Sequence, residues 1–164
     1  MSSFQNLPYR LGVGITLFNN EGLVWVGRRI DTKNAWQMPQ GGIEDDDSPA
    51  EAALRELEEE VGTANAELMA ETRDWLTYDL PPPVLRRTWR GRFRGQKQKW
   101  FAARFLGDES EIDLNAHHSP EFEEWKWVPL QTLPRLIVRF KRPLYEQVVE
   151  EFAPIAERLA AAKE

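Results

Sequence analysis

The sequence predicts an α/β fold, a three-layer α/β/α sandwich around a mixed β-sheet. Strand-like runs rich in β-branched and aromatic residues recur along the 164 residues, and amphipathic helical segments are interleaved with them. Pro and Gly clusters mark the joins. Residues 10–18 and 23–29 read as strands joined by a tight turn over 19–22. A helix is expected over 49–61. Ser48 is a good N-cap, Pro49 suits the first helical position, Glu51 completes a capping box and Gly62 suits the C-terminal cap. Its apolar stripe is Ala50, Ala53, Leu54, Leu57 and Val61. Strands follow at 67–72, 75–80, 99–106 and 123–128. Pro81-Pro82-Pro83 breaks the chain after the second of these and opens a long basic loop. Residues 130–138 read as a short helix interrupted at Pro134. Residues 143–162 read as a C-terminal helix that buries Val148, Val149, Phe152, Ile155 and Leu159, with Pro154 expected to kink or shorten it.

A single domain over 1–164, with its core at about 9–153, is the expected organisation. Hydrophobic residues make up 41%, with seven Trp and eight Phe, enough for a real core. No apolar run approaches the ~20 residues of a membrane helix, and the N-terminus has no basic-then-apolar signal pattern. Cysteine is absent, which excludes thiol chemistry and thiolate metal sites and leaves the cytoplasm as the expected location.

The net charge of −6 taken alone argues against nucleic acid, but the charge is unevenly placed. Residues 86–99 hold seven cations and no acid, with Trp89, Phe93 and Trp100 interleaved or adjacent. Such a run is either a solvated loop or a platform for bases and phosphates. Arg135, Arg139, Lys141 and Arg142 form a second basic cluster. Acids gather at 44–60, 108–113 and 121–124. A polarised molecule follows, with an acidic metal-binding patch beside basic phosphate-binding patches.

The helix at 49–61 carries the most information. At about 100° per residue, Glu56, Glu59 and Glu60 fall within an arc of roughly 100°. Solvated helices tend to alternate signs. Here Glu56 and Glu60 are like charges one turn apart, a pairing that costs a helix about 0.2–0.5 kcal/mol. That cost makes sense if a hard divalent cation sits among the carboxylates.

The stretch from Gly41 through Asp47 to Arg55-Glu56-Leu57-Glu58-Glu59-Glu60-Val61-Gly62 resembles the Nudix box of the Nudix hydrolases. Two positions depart from the family pattern. Asp47 stands where the family has its first Glu, and Thr63 stands where an aliphatic residue is usual. Asp47 keeps the charge on a shorter arm at a position outside the metal-facing set, so activity is expected to survive. Thr63 is expected to matter only for packing. Trp36-Gln37-Met38-Pro39-Gln40-Gly41-Gly42-Ile43, Gly95-Gln96-Lys97-Gln98-Lys99-Trp100-Phe101, Ser119-Pro120-Glu121-Phe122 and Phe140-Lys141-Arg142-Pro143-Leu144-Tyr145 extend the likeness. They resemble the branch holding bacterial RNA pyrophosphohydrolases and asymmetric diadenosine tetraphosphate hydrolases.

The resemblance implies a Nudix-type α/β/α sandwich with a loop–helix–loop catalytic motif. It implies catalytic roles for Glu56, Glu59, Glu60 and Arg55. Arg55 lies near Glu59 on the helical wheel and is placed to orient it by a charge-assisted hydrogen bond. It implies Mg²⁺ or Mn²⁺ held by Glu56, Glu59, Glu60, a backbone carbonyl at Gln40 or Gly41, and Glu121. On spacing alone Glu121 reads as a surface acid. Metal ions neutralise phosphate oxygens and lower the pKa of bound water, and one carboxylate accepts the proton. Which carboxylate is the base stays open.

Substrate contacts implied by the resemblance are Arg10, Arg29, Gln96 and Lys99 for phosphates. Tyr78, Val138, Phe140 and Lys141 are implied for a base and its phosphate. Tyr78 and Phe140 fit core packing equally well. His117 and His118 read as structural loop residues. The expected activity is hydrolysis of 5′-phosphorylated RNA ends, with dinucleoside polyphosphate as the alternative substrate and an inactive binding module as a third reading. Neither a membrane nor DNA is an expected partner.

Overall fold

The computed structural model describes residues 6–117 and 119–163. In chain order the elements are β1 (Tyr9–Phe18), β2 (Val24–Arg29), β3 (Trp36–Gln37), β4 (Gln40–Gly42), α1 (Pro49–Val61), β5 (Ala66–Glu71), β6 (Leu76–Asp79), α2 (Pro82–Leu85), β7 (Gly95–Phe105), β8 (Phe122–Val128), α3 (Leu133–Leu136) and α4 (Arg142–Lys163). Short 3₁₀ turns lie at Trp89–Gly91, Glu109–Glu111, Leu130–Thr132 and Arg139–Lys141.

Side chains alternate across a strand, and here both sets are buried. On β1, Val13, Ile15 and Leu17 join Phe101 and Ala103 of β7 and Ala53, Leu57 and Val61 of α1 in one core. Phe18, with Trp100 and Ala102 of β7 and Leu76 and Tyr78 of β6, faces the other way and packs under Leu144, Tyr145, Val148 and Phe152 of α4. A core on each face of one sheet is the three-layer arrangement the sequence predicts.

The sheet is mixed. β1 runs parallel to β7 from Tyr9↔Gly95 to Phe18↔Arg104. β5 and β6 pair antiparallel with the far edge of β7. The turn after β1 forms as expected, with Asn19 and Leu23 bonded through their backbones and Gly22 at φ 79°. Yet β1 and β2 pair only at Phe18↔Val24. Beyond that point β4 takes the edge of β1 (Gly12↔Gly42 to Gly14↔Gln40), and β2 turns to β3 and β8. The two halves of the sheet therefore diverge, with β4 lying in the split.

Several boundaries differ from the sequence reading. β7 starts at Gly95, inside the expected basic loop, because Gln96 and Gln98 bury their side chains. The loop itself contains α2, since Pro82 and Pro83 suit a first helical turn. Pro134 likewise starts α3 and does not interrupt a helix. α4 runs through Pro154 to Lys163. Pro154 is exposed, and burial of Phe152, Ile155 and Ala156 around it holds the helix. Among the described residues, no helix is long and apolar enough to cross a membrane.

Candidate active site

Helix α1 is positioned by its ends. The Ser48 hydroxyl accepts from the Glu51 backbone N–H, and the Glu51 carboxylate accepts from the Ser48 backbone N–H. Gly62, at φ 96°, closes the other end by donating to the Glu58 carbonyl. Any side chain there would also meet the Asp113 backbone, 2.4 Å from its Cβ. The buried stripe is Ala52, Ala53, Leu57 and Val61, with Leu54 half-buried. This rotation carries Glu60 inward as well.

The three glutamates line one cleft but occupy different environments. Glu60 is buried and accepts from the Gln40 backbone N–H at 3.1 Å. Burial, and then the charge of Glu56, push its carboxyl well above the usual range. Glu56 is half-buried and raised to about 7, first by desolvation and then by Glu59. Glu59 is the most exposed of the three and leans toward Arg55, 3.9 Å away. Among the described residues no three acids or histidines converge tightly enough to form a metal cluster. Glu60 turns into the fold while Glu59 turns out, so the face they share on the helical wheel is spread in space.

Arg55 departs from its expected role. Its separation from Glu59 is too long for a hydrogen bond. Its firm partners are the Asp47 carboxylate and the Gly42 carbonyl, the latter at 2.9 Å. Asp47 also accepts from the Glu44 backbone N–H. The shortened acid at position 47 thus closes a clamp between the helix and the segment that precedes it. Within that clamp Gly41 comes so near α1 that an added Cβ would lie 2.1 Å from the Glu56 carboxylate.

The cleft is about 1090 Å³ in volume and opens beside the split in the sheet. Most residues singled out from the sequence meet there: Arg10, Arg29, Gln40, Gly41, Tyr78, Gln96, Glu121, Val138, Phe140 and Lys141, with Glu56, Glu59 and Glu60. Arg29 is gripped by Asp31 at 2.6 and 2.7 Å and donates to Gln37 at 3.1 Å. Glu121 is held through its backbone carbonyl, which accepts from Ile30. Its charge adds to the upward pressure on both Glu56 and Glu60. Lys141 is buried, with its ammonium 5.1 Å from the centre of the Tyr78 ring. Desolvation, and then Arg29, bring its pKa down to about 8. Tyr78 packs in the core yet lines the cleft, with its ring 5.8 Å from that of Phe140. The packing and binding readings of these two rings are therefore compatible.

Two of the singled-out residues, Arg55 and Lys99, do not line the cleft. Gln96 and Gln98 lie on one face of β7, so Lys99 falls on the other. Its ammonium donates to the Arg73 carbonyl at 3.1 Å, away from the cleft. Trp100 is no base platform either, since it is buried against Tyr145. Trp89 does reach the cleft, along with Arg87 and Thr88, and the Arg10 guanidinium lies 5.1 Å from its ring centre. His117 lines the cleft and pairs with Glu58 at 3.1 Å, whereas His118 lies outside the described residues. Asp31 is the main lining residue not singled out from sequence, whereas Arg87 belongs to the basic run that reads as a solvated loop or a phosphate platform. The run of cations around Arg87 was the available signal.

The NUDIX domain family model matches residues 8–148. The chain belongs to the NUDIX family. A Bradyrhizobium relative named RNA pyrophosphohydrolase is 53% identical over 166 residues, covering 95% of this chain and 99% of the relative. One from Rhodospirillum rubrum with the same name is 57% identical over 154 residues, covering 94% and 93%. Among solved structures, the E. coli dihydroneopterin triphosphate pyrophosphohydrolase superposes with TM-score 0.65 at 18% identity, over 88% of this chain and 99% of that one. A C. elegans Ap4A hydrolase superposes with TM-score 0.62 at 16% identity, over 88% and 98%. At those identities the structural likeness establishes the NUDIX fold alone.

Proposed function

We propose that this NUDIX protein is an RNA pyrophosphohydrolase, which converts 5′-triphosphorylated (or diphosphorylated) RNA ends to 5′-monophosphates and so exposes transcripts to decay. The observation that carries this is identity of 53% and 57%, over nearly the full length of both chains, to proteins of that name. The cleft supports it, because it sets carboxylates opposite Arg10, Arg29 and Lys141, the two charge types needed to cleave a chain of phosphates.

Glu56, Glu59, Glu60 and Glu121, with the Gln40 or Gly41 carbonyl, would hold a divalent cation, Mg²⁺ or Mn²⁺. These groups would draw together on the ion, since no three of them cluster among the described residues, and their chemistry suits it. Glu56 and Glu60 are held above the normal carboxylate range by burial and by the charge of neighbouring carboxylates, a penalty that a nearby cation relieves. Gly41 leaves room for Glu56 to approach the backbone. When bound, the ion neutralises phosphate oxygens and acidifies water. The chain supplies the rest. Arg10, Arg29 and Lys141 bind and orient the phosphates. The Asp47–Arg55–Gly42 clamp keeps β4 in register with α1. One of the cleft carboxylates takes the proton of the attacking water.

A competition between 5′-triphosphorylated RNA and diadenosine tetraphosphate, with Mg²⁺ present, tests the proposal. A higher specificity constant for RNA, with monophosphorylated RNA as product, supports it. Dominant release of ATP and AMP would make the protein a dinucleoside tetraphosphate hydrolase, and binding of either without turnover would make it a binding module.

A further inference from the structure

A buried indole fixes the direction of a chain of amides that ends in the cleft. An indole N–H can only donate. That of Trp100 lies 3.0 Å from Gln98 Oε1. Gln98 must therefore turn its oxygen to the indole and its NH₂ the other way. The NH₂ donates to Gln96 Oε1 at 2.9 Å and to Gln40 Oε1 at 2.7 Å. Trp100, Gln98 and Gln96 are all buried. A reversed Gln98 would set N–H against N–H where no water can intervene, and an unmade buried hydrogen bond is costly.

The polarity then propagates. With their oxygens turned to Gln98, Gln96 and Gln40 direct their NH₂ groups the other way. Gln96 is the cross-strand partner of Tyr78 between β7 and β6, and its NH₂ is the branch turned away from Gln98. The Tyr78 phenol brings an O–H donor of its own. Gln40, Gln96 and Tyr78 all line the cleft, beside Arg10, Arg29 and Lys141. The neutral part of this wall thus offers donors. The edge of a base mixes donors and acceptors, whereas ionised phosphate oxygens only accept.

We infer that Trp100 and Gln98 are positioning residues that hold Gln40, Gln96 and Tyr78 as a donor subsite for nonbridging phosphate oxygens. The inference rests on the phosphoanhydride-hydrolase reading and adds to it a neutral recognition element whose polarity is set from inside the core.

Trp100→Phe removes the indole N–H together with part of the ring system and keeps an aromatic ring against Tyr145. It is expected to raise KM for 5′-triphosphorylated RNA about tenfold while kcat stays within about twofold, the signature of lost substrate binding. Gln98→Glu accepts at both ends, so Gln96 and Gln40 must reverse and turn oxygens to the cleft. Its KM is expected to rise further. Gln98→Met, which adds no charge, is expected to fall between the wild type and Gln98→Glu. Unchanged KM in folded Trp100→Phe and Gln98→Met would overturn the inference, as would a loss confined to kcat. The wild type provides a test that needs no variant to fold. Titration with inorganic triphosphate is expected to shift the side-chain amide resonances of Gln40 and Gln96, and unmoved resonances would overturn the subsite. If those resonances shift but triphosphorylated RNA is not turned over, the functional reading fails and the subsite stands.

Discussion

Helix α1 and the segment between β6 and β7 supply opposite sides of the same cleft, and they are built in opposite ways. α1 is defined locally: a capping box at Ser48, Pro49, a left-handed Gly62 and an apolar stripe all lie within fifteen residues. The segment from Leu80 to Arg94 owes its shape to distant partners. Asp79 accepts from Arg94 at 2.7 Å and from Tyr9 at 2.6 Å, and the Arg94 guanidinium lies 4.7 Å from the Tyr9 ring centre. Trp89, Arg90 and Gly91 all take positive φ. Such conformations are strained for Trp and Arg and persist only when surrounding contacts hold them. Local determination suits carboxylates whose relative positions decide the chemistry. Tertiary determination suits cations that need only face a polyanion. The expected effects of substitution differ accordingly.

The largest effect belongs to the helix. Glu60→Gln is expected to lower turnover by roughly 10²–10⁴-fold with little change in Tm, because an amide still accepts from Gln40. Near wild-type rates would detach Glu60 from the chemistry. Gly41→Ala comes next. Its Cβ would lie 2.1 Å from the Glu56 carboxylate, so Glu56 must move. A displacement of about 1 Å in such a site costs on the order of 10²-fold in rate, and single-turnover kinetics would detect it.

A pH experiment sharpens the contrast without kinetics. Glu56 ordinarily titrates near 4.5 and sits at about 7 in the fold. A carboxyl with a raised folded pKa binds more protons folded than unfolded, so its contribution to stability is lost as pH rises from about 4.5 to about 7. In chelator, the Tm of wild type should therefore fall relative to that of Glu56→Gln across this window, and excess Mg²⁺ should reduce the difference. A flat difference would mean that Glu56 is fully solvated. The smallest effect is expected in the basic segment. Arg87→Ala should weaken RNA binding a few-fold at low salt and less at high salt, since phosphate contacts are screened. A salt-independent loss would instead make Arg87 a structural residue.

The same contrast explains what the sequence revealed. α1 was legible to the residue because caps and periodicity are local signals. The sheet was legible as a set of strands, but β3 and β4 were not, being two and three residues held by pairing to β2 and β1. β7 was read four residues short because Gln96 and Gln98 look like loop residues until the buried amide chain that satisfies them is seen. Lys99 was misplaced for the reason that β-strands generally mislead: a one-residue step changes the face. The helical wheel sets Arg55 beside Glu59 and cannot display Asp47 and Gly42 just before the helix.

The long parallel pairing of β1 with β7 bears on how the protein is made. A chain leaves the ribosome at roughly 5–20 residues per second. Residues 9–18 emerge well before the strand that registers them, which does not begin until Gly95. For roughly several seconds of synthesis, a ten-residue apolar strand has only β2 and β4 as short-range neighbours. Pro8 before it and Arg10 within it then work against pairing with a neighbouring nascent chain. Synthesis on crowded ribosomes therefore leaves β1 open to pairing outside its own chain.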